Sequence, residues 1–136
     1  MRKRITLLAF IALALASCQK ENLSIKKNQP AENGQNMPVS FGSFSGTSKN
    51  GIITINFSTT EAKNVQYFEI FSGETGNLLC KIGTVIPGES NSSSSRQYSF
   101  TDNAPKANPT YYMIGYTCTN DSTYYYDPVI KVAISL

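Results

Sequence analysis

The sequence predicts an all-β protein built as a two-layer sandwich of seven short antiparallel strands. From Val39 onward, apolar residues alternate with polar ones, the pattern of a strand with one buried face. Clusters of Gly, Pro, Asn, Asp and Ser separate these runs, as turns require. Helical spacing of apolar residues is not found, so we expect almost no helix.

The strands follow from five alternating runs. Their predicted inward residues are Ile53, Ile55 and Phe57; Phe68 and Ile70; Tyr98 and Phe100; Tyr112, Ile114, Tyr116 and Cys118; and Ile130, Val132, Ile134 and Leu136. Turns are predicted at residues 49–51, 72–77, 87–88, 102–105 and 120–122. Seven strands within about 98 residues is typical of a two-sheet sandwich.

The first eighteen residues predict export and a lipid anchor. Residues 1–4 are cationic, residues 5–15 are apolar apart from Thr6, and small residues precede Cys18. This is the pattern of a signal peptide, and it is shorter than the about 20 residues of a membrane-spanning helix. Leu15-Ala16-Ser17-Cys18 resembles the lipobox of bacterial lipoproteins, which implies cleavage before Cys18 and acylation of that residue. An ordinary secretory signal is the alternative.

The next residues predict a tether at the cell surface. Residues 19–22, Gln-Lys-Glu-Asn, resemble the tag that follows the lipidated cysteine in surface lipoproteins of Bacteroidetes. That resemblance implies the outer membrane and surface exposure, with its periplasmic face as the alternative. Residues 19–37 are too polar to form a core. The predicted domains are a signal peptide (1–17), lipidated Cys18 with a flexible linker (18–38) and the sandwich (39–136).

Residues 44–132 resemble the fibronectin type III-like domains of secreted Bacteroidetes proteins. The matching segments are residues 53–61, 67–70, 81–85, 98–102, 111–112 and 127–130. The resemblance implies an immunoglobulin-like (fibronectin type III-like) seven-stranded antiparallel β-sandwich. It implies no particular activity, because such sandwiches host many unrelated functions.

Charge and composition exclude several function classes. Three of the twelve Lys and Arg residues lie in residues 1–4, so their removal leaves nine cations against nine carboxylates. The remaining cations are spread from Lys20 to Lys131, which disfavours a nucleic-acid partner. The chain has no His, no spaced Cys pair and no Gly-rich phosphate loop. We therefore predict no catalytic residue, metal site or cofactor, and a protein that is not an enzyme.

The distribution of aromatic residues predicts the binding site. Six of the eight tyrosines lie between Tyr111 and Tyr126. Residues next to the predicted inward positions should point outward from the same sheet and form an apolar stripe, which is typical of a partner site. The predicted binding residues, including the tyrosine run expected at the turn before the last strand, are Tyr67, Phe71, Tyr111, Met113, Tyr124, Tyr125 and Tyr126.

Two functions remain open for this stripe. The first is a non-catalytic binding or adhesion module with a protein partner, and the alternative is a carbohydrate-binding surface lipoprotein that stacks sugars on its tyrosines. The aromatics could instead only stabilise the sheet, with Tyr111 or Tyr112 as the hydrogen-bonded corner tyrosine of sandwiches.

Two further predictions concern cysteine and modification. In the implied topology, Cys80 and Cys118 lie at opposite ends of one sheet, beyond the Cα separation of about 7 Å that a disulfide tolerates. We predict two separate thiols, with Cys118 buried. Asp121-Ser122-Thr123 resembles the O-glycan attachment sequence of exported Bacteroidetes proteins, which implies a glycan at Ser122.

Overall fold

The computed structural model describes residues 38–88, 91–92 and 94–136, and these residues form strands and no helix. The strands are β1 (Val39–Lys49), β2 (Ile52–Lys63), β3 (Val65–Thr75), β4 (Leu78–Val85), β5 (Asn91–Ser92), β6 (Arg96–Asp102), β7 (Thr110–Cys118) and β8 (Thr123–Val132). The all-β prediction is confirmed. The described residues accordingly offer no long apolar helix that could cross a membrane. The predicted signal peptide, Cys18 and the linker up to residue 37 lie outside the described residues.

Two antiparallel sheets pack face to face and form a sandwich. In sheet 1, β2 lies between β1 and β6, and the two-residue β5 pairs with the end of β2. In sheet 2, the order is β4-β3-β7-β8. The chain passes from sheet 1 to sheet 2 at Asn64, whose φ of 54° lies in the left-handed region that Asn tolerates. Seven strands longer than two residues therefore make up the two layers.

The core lies between the sheets and contains most of the predicted inward residues, whereas Leu136, also predicted inward, is fully exposed. Ile53, Ile55 and Phe57 of β2 are almost fully buried. The rings of Phe57 and Phe68 meet edge to face across the two sheets, with centroids 5.1 Å apart. In sheet 2 the predicted inward residues are likewise without solvent exposure: Phe68, Ile70, Tyr112 and Ile114. Burial of each large side chain contributes about 1.5–3 kcal/mol, which makes this alternation the main determinant of the fold.

The two ends of the sandwich have different roles. The chain enters at Val39, beside the end of β2 and the start of β3, and we call this the entry end. The opposite, far end carries the β1–β2 hairpin, the β3–β4 hairpin and the start of β7. The β1–β2 turn is Asn50-Gly51, with φ values of 53° and 77°. Asn-Gly suits the left-handed turn that closes a two-residue hairpin.

The last strand differs from the prediction at both of its ends. β8 begins at Thr123, so the tyrosine run lies inside the strand and not at a turn. It ends at Val132, so its predicted continuation to Leu136 is wrong. The tail bonds to side chains instead: the Ile134 amide donates to Asn108 Oδ1 in the loop before β7 at 3.0 Å, and the Ser135 amide donates to Ser48 Oγ in β1 at 2.8 Å. These bonds satisfy the two amides without strand pairing.

Candidate functional site

The candidate site is the outer face of sheet 2. Residues paired directly across antiparallel strands point to the same side of a sheet. Phe71 pairs with Met113, and both flank inward-facing residues of the core, so both point outward. The same register places the following residues on the outer face: Tyr67, Glu69, Phe71, Lys81, Tyr111, Met113, Gly115, Thr117, Thr123, Tyr125 and Lys131. Five of the seven predicted binding residues thus share this face: Tyr67, Phe71, Tyr111, Met113 and Tyr125.

Phe71 and Met113 nevertheless lie under other side chains. Their exposed fractions are 5% and 2%, so the expectation of an exposed apolar stripe is wrong at these two positions. At Phe71 the cause is Gly115, which leaves a hollow on the outer face. A Cβ atom at Gly115 would lie 3.0 Å from Phe71 Cε2 and 3.2 Å from Tyr125 Cδ1, so these two rings fill the hollow. The rings meet edge to face, with centroids 5.7 Å apart.

Only Tyr125 of the tyrosine run lies on the outer face. Tyr124 stacks on Tyr116 with centroids 5.2 Å apart, and Tyr126 stacks on Phe41 with centroids 4.1 Å apart. Tyr124 and Tyr126 therefore pack against the core while remaining half-exposed, and they do not share the outer face of sheet 2 with the other predicted binding residues. The physical reason is the period of two: neighbours in a strand point to opposite sides.

A polar chain crosses the outer face beside the aromatic side chains. Lys81 Nζ donates to Glu69 Oε1 at 2.6 Å, and the Thr117 hydroxyl donates to Glu69 Oε2 at 3.3 Å. The Thr117 and Thr123 hydroxyls are 3.0 Å apart, and Lys81 Nζ lies 5.3 Å from the ring centroid of Tyr67. Glu69 is only 8% exposed. The sequence analysis missed these residues: alternation marks Glu69 as outward, but its partners depend on the register of three strands.

The far-end corner of sheet 2 exposes aliphatic side chains. We define this corner by Leu78, Tyr111, Val129 and Lys131. Leu78 is 65% exposed and Val129 is 39% exposed. A Cβ atom at Gly76 would lie 3.7 Å from both Tyr111 and Val129, so the β3–β4 turn packs against them. Lys131 Nζ lies 5.9 Å from the ring centroid of Tyr111, within reach of a cation–π interaction.

Tyr112 is the hydrogen-bonded tyrosine of the Tyr111-Tyr112 pair. Its hydroxyl donates to Asp102 Oδ2 at 2.7 Å, and Asp102 Oδ1 accepts the Ala104 amide at 3.1 Å. Burial, together with the neighbouring Asp102 carboxylate, raises the pKa of Tyr112 well above its usual value. This bond ties β7 to the end of β6, so Tyr112 has a structural role.

The two cysteines do not bond to each other. Cys80 pairs with Ser72 and Cys118 with Val65, seven positions apart on β3, which corresponds to roughly 20 Å. Cys118 is a free, buried thiol, as predicted, and burial raises its pKa. Cys80 is disulfide-bonded, so the expectation of a free thiol there is wrong. Cys80 is half-buried on the edge strand β4, where a second sulfur can reach it.

Ser122 lies in the turn between β7 and β8. Its amide donates to Asn120 Oδ1 at 3.2 Å, and its carbonyl accepts the Cys118 amide at 2.9 Å. The residue is half-buried, and its glycosylation stays a prediction. Within residues 38–88, 91–92 and 94–136, no three Cys, Asp or Glu side chains gather into a group that could hold a metal ion.

Comparisons with known proteins support the fold alone. No family model matches the chain, and the curated proteins give no match. A DUF3823 family protein from Bacteroides ovatus has a similar structure, with a TM-score of 0.51 and 19% sequence identity over 72% of this chain and 56% of that one. The chain thus spans just over half the length of that neighbour.

Two superoxide reductases show a weaker likeness. The protein from Nanoarchaeum equitans has a TM-score of 0.48 and 9% identity, over 71% of this chain and 95% of that one. The neelaredoxin from Ignicoccus hospitalis has a TM-score of 0.46 and 11% identity, over 71% and 82%. These values are too low to carry any functional argument.

Proposed function

We propose that the protein is a lipid-anchored, non-catalytic binding module of the outer membrane, displayed on the cell surface, that contacts a protein partner through the outer face of sheet 2. The anchor is inferred from the lipobox-like residues before Cys18. We assign the sandwich to the fibronectin type III-like class because β1, β2 and β6 oppose β3, β7 and β8, with β4 added at one edge. The structural neighbour from Bacteroides ovatus comes from the phylum whose lipoproteins the amino-terminal residues resemble.

The far-end corner is the observation that carries the protein-binding proposal. Among the described residues, the large apolar side chains with the most exposure are Ile52, Leu78, Ile86, Val129 and Leu136. All but Ile86 lie at the far end. A chain anchored at Cys18 enters the sandwich at the entry end, so the far end lies opposite the point of attachment. Exposed apolar side chains gathered beside an aromatic ring are typical of a protein interaction site.

The lysines on sheet 2 favour a protein over a stacked sugar. Lys81 lies over the ring of Tyr67, and Lys131 lies over the ring of Tyr111. Each ammonium occupies a ring face that a sugar would need for stacking. Tyr125 packs against Phe71, which limits access to its ring as well.

Glycan binding remains a second candidate because of the polar chain on the same face. An aromatic ring with hydrogen-bonding groups beside it is one way to hold a sugar, and Glu69, Lys81 and Thr117 supply such groups beside Tyr67. A glycan array with the full-length protein tests this function. Binding that disappears in Tyr67→Ala but persists in Leu78→Ser would favour the glycan and count against the protein partner.

Crosslinking at the far-end corner tests the protein partner. A photoreactive amino acid at position 78 should give a discrete crosslinked product on intact cells, whereas one at position 86, which is similarly exposed but lies at the entry end, should give none. Val129→Ser should remove the product without lowering the melting temperature by more than a few degrees, because Val129 is exposed. Equal products at positions 78 and 86 would contradict the proposal. Phe71 and Tyr124 are unsuitable for this test because both are packed.

Mass spectrometry of the native amino-terminal peptide tests the anchor. We expect a diacylglycerol thioether on the Cys18 sulfur, and Cys18→Ser should release the protein from the membrane fraction. Cys118 is free, so acylation of Cys18 requires that the second sulfur of the Cys80 disulfide come from another molecule. Recovery of Cys18 with a free thiol, or in a disulfide with Cys80, would contradict lipidation because the sulfur cannot carry both bonds.

A further inference from the structure

The outer face of sheet 1 is an array of uncharged hydrogen-bonding side chains. Thr54 in β2 pairs with Thr47 in β1 and with Thr101 in β6, and the two rows beyond it follow the same pattern. The three rows consist of Ser43, Ser45, Thr47, Thr54, Asn56, Ser58, Gln97, Ser99 and Thr101. Strands lie about 4.8 Å apart and alternate residues about 6.7 Å apart, so the groups are regularly spaced.

A shallow depression lies at the far end of this array. It has a volume of about 360 Å³ and is lined by Thr47, Lys49, Asn50, Ile52 and Thr54. Ile52 points outward because its neighbour Ile53 is buried in the core, and it is 40% exposed. Thr47 and Thr54 belong to the first row of the array, so the depression and the array are continuous.

The chemistry of the lining selects a neutral, hydroxyl-rich ligand. Lys49 is the only charged residue of the depression, which is too few cations for a polyanion. A protein partner would find no aromatic anchor there. A pyranose ring carries hydroxyl groups around its rim and an apolar C–H face. Ile52 can cover that face while the Thr54 hydroxyl and the Asn50 amide bond to the rim. The volume lies at the lower end of the about 300–1,000 Å³ of small-molecule sites.

We propose that the depression binds one sugar residue of a neutral polysaccharide and that the array on sheet 1 hydrogen-bonds the following residues of that chain. The site lies on the sheet opposite the protein-binding face. A failed test of one proposal therefore does not count against the other.

The test is a binding measurement with defined glycans. Full-length protein is titrated by calorimetry with hexasaccharides of an α-glucan, a β-glucan, a mannan and a xylan. We expect at least one to bind at millimolar concentration or below. Thr54→Lys fills the depression and should weaken that binding at least tenfold, and Ile52→Ser should weaken it about threefold or more. Both side chains point outward, so the melting temperature should change little.

Two matched controls locate the site. Thr60→Lys makes the same substitution in the same strand but at an exposed position outside both the depression and the array, and it should change affinity less than threefold. Tyr67→Ala, on sheet 2, should leave affinity unchanged. The proposal is overturned if none of the four glycans binds, if Thr60→Lys weakens binding as much as Thr54→Lys, or if Tyr67→Ala abolishes binding and thereby moves the sugar to sheet 2.

Discussion

The outer faces of the two sheets follow the same alternation of inward and outward residues, but they differ in how far the outward side chains are exposed to solvent. On sheet 2, Phe71 and Met113 are covered by neighbouring side chains, whereas Asn56 on sheet 1 is open to solvent. Long aromatic side chains reach diagonally across strands, and Gly115 gives them a hollow to fill. Short hydroxyl side chains cannot cover one another in this way. An outward position therefore does not imply an exposed one, and a single sheet can carry apolar packing on both sides.

The strongest test of this comparison is Phe71→Ala against Asn56→Ala. Loss of the Phe71 ring should lower the free energy of unfolding by about 3 kcal/mol, because it leaves a cavity under Tyr125. Asn56→Ala should change it by no more than about 0.5 kcal/mol. Urea denaturation measures both. Similar small effects would mean that the aromatic side chains on sheet 2 lie loosely on its surface.

Tyr112→Phe tests the bond that joins the two sheets at the far end. Removal of a hydrogen bond to a carboxylate should cost about 2 kcal/mol. Asp102→Asn should cost less, since an amide oxygen can still accept the bond. Comparison of the two unfolding curves checks the order, and a larger effect of Asp102→Asn would show that the Asp102 carboxylate matters for another reason.

Alkaline pH should destabilise the protein because two buried tyrosines of sheet 2 resist ionisation in the folded state. Burial raises the pKa of both Tyr112 and Tyr116, which lie in β7. The unfolded chain ionises these groups near pH 10. The two neutral tyrosines therefore make their full contribution to stability below about pH 10. Above that pH, the free energy of unfolding falls by up to about 1.4 kcal/mol for each group and each pH unit. Urea titrations at about pH 9 and 11 measure this. A Tyr112→Phe, Tyr116→Phe double variant should show a smaller decline, and an unchanged one would contradict the assignment.

Two glutamate–lysine ion pairs differ in burial, and breaking either should change the free energy of unfolding by less than the substitutions above. Glu69 and Lys81 pair on sheet 2, where the carboxylate side chain is 10% exposed; Glu61 and Lys63 pair at the end of β2, where it is 35% exposed. Lys81→Met should cost about 1 kcal/mol, because it leaves a buried carboxylate without its cation. Lys63→Met should cost about 0.3 kcal/mol. Adding Glu69→Gln should recover much of the loss in the first case, and no recovery would argue against the pair.

The predicted core was correct where local alternation decides burial, as at Ile53 and Ile70. The prediction failed where a neighbouring strand decides it. Met113 was expected in an exposed stripe and is covered, and Ile134 was expected in a strand that ends two residues earlier. The buried Glu69 was missed for the same reason, since its partners come from β4 and β7.

The sequence by itself determined the all-β class, the Asn-Gly hairpin and the side of the sheet to which the residues of β2, β3 and β7 point, because these depend on backbone geometry over a few neighbouring residues. Only the tertiary structure decided which outward residues are covered, which tyrosine bonds to Asp102, and that the exposed aliphatics gather at the end opposite Val39. Those outcomes depend on strand register, which brings together residues that are far apart in the chain.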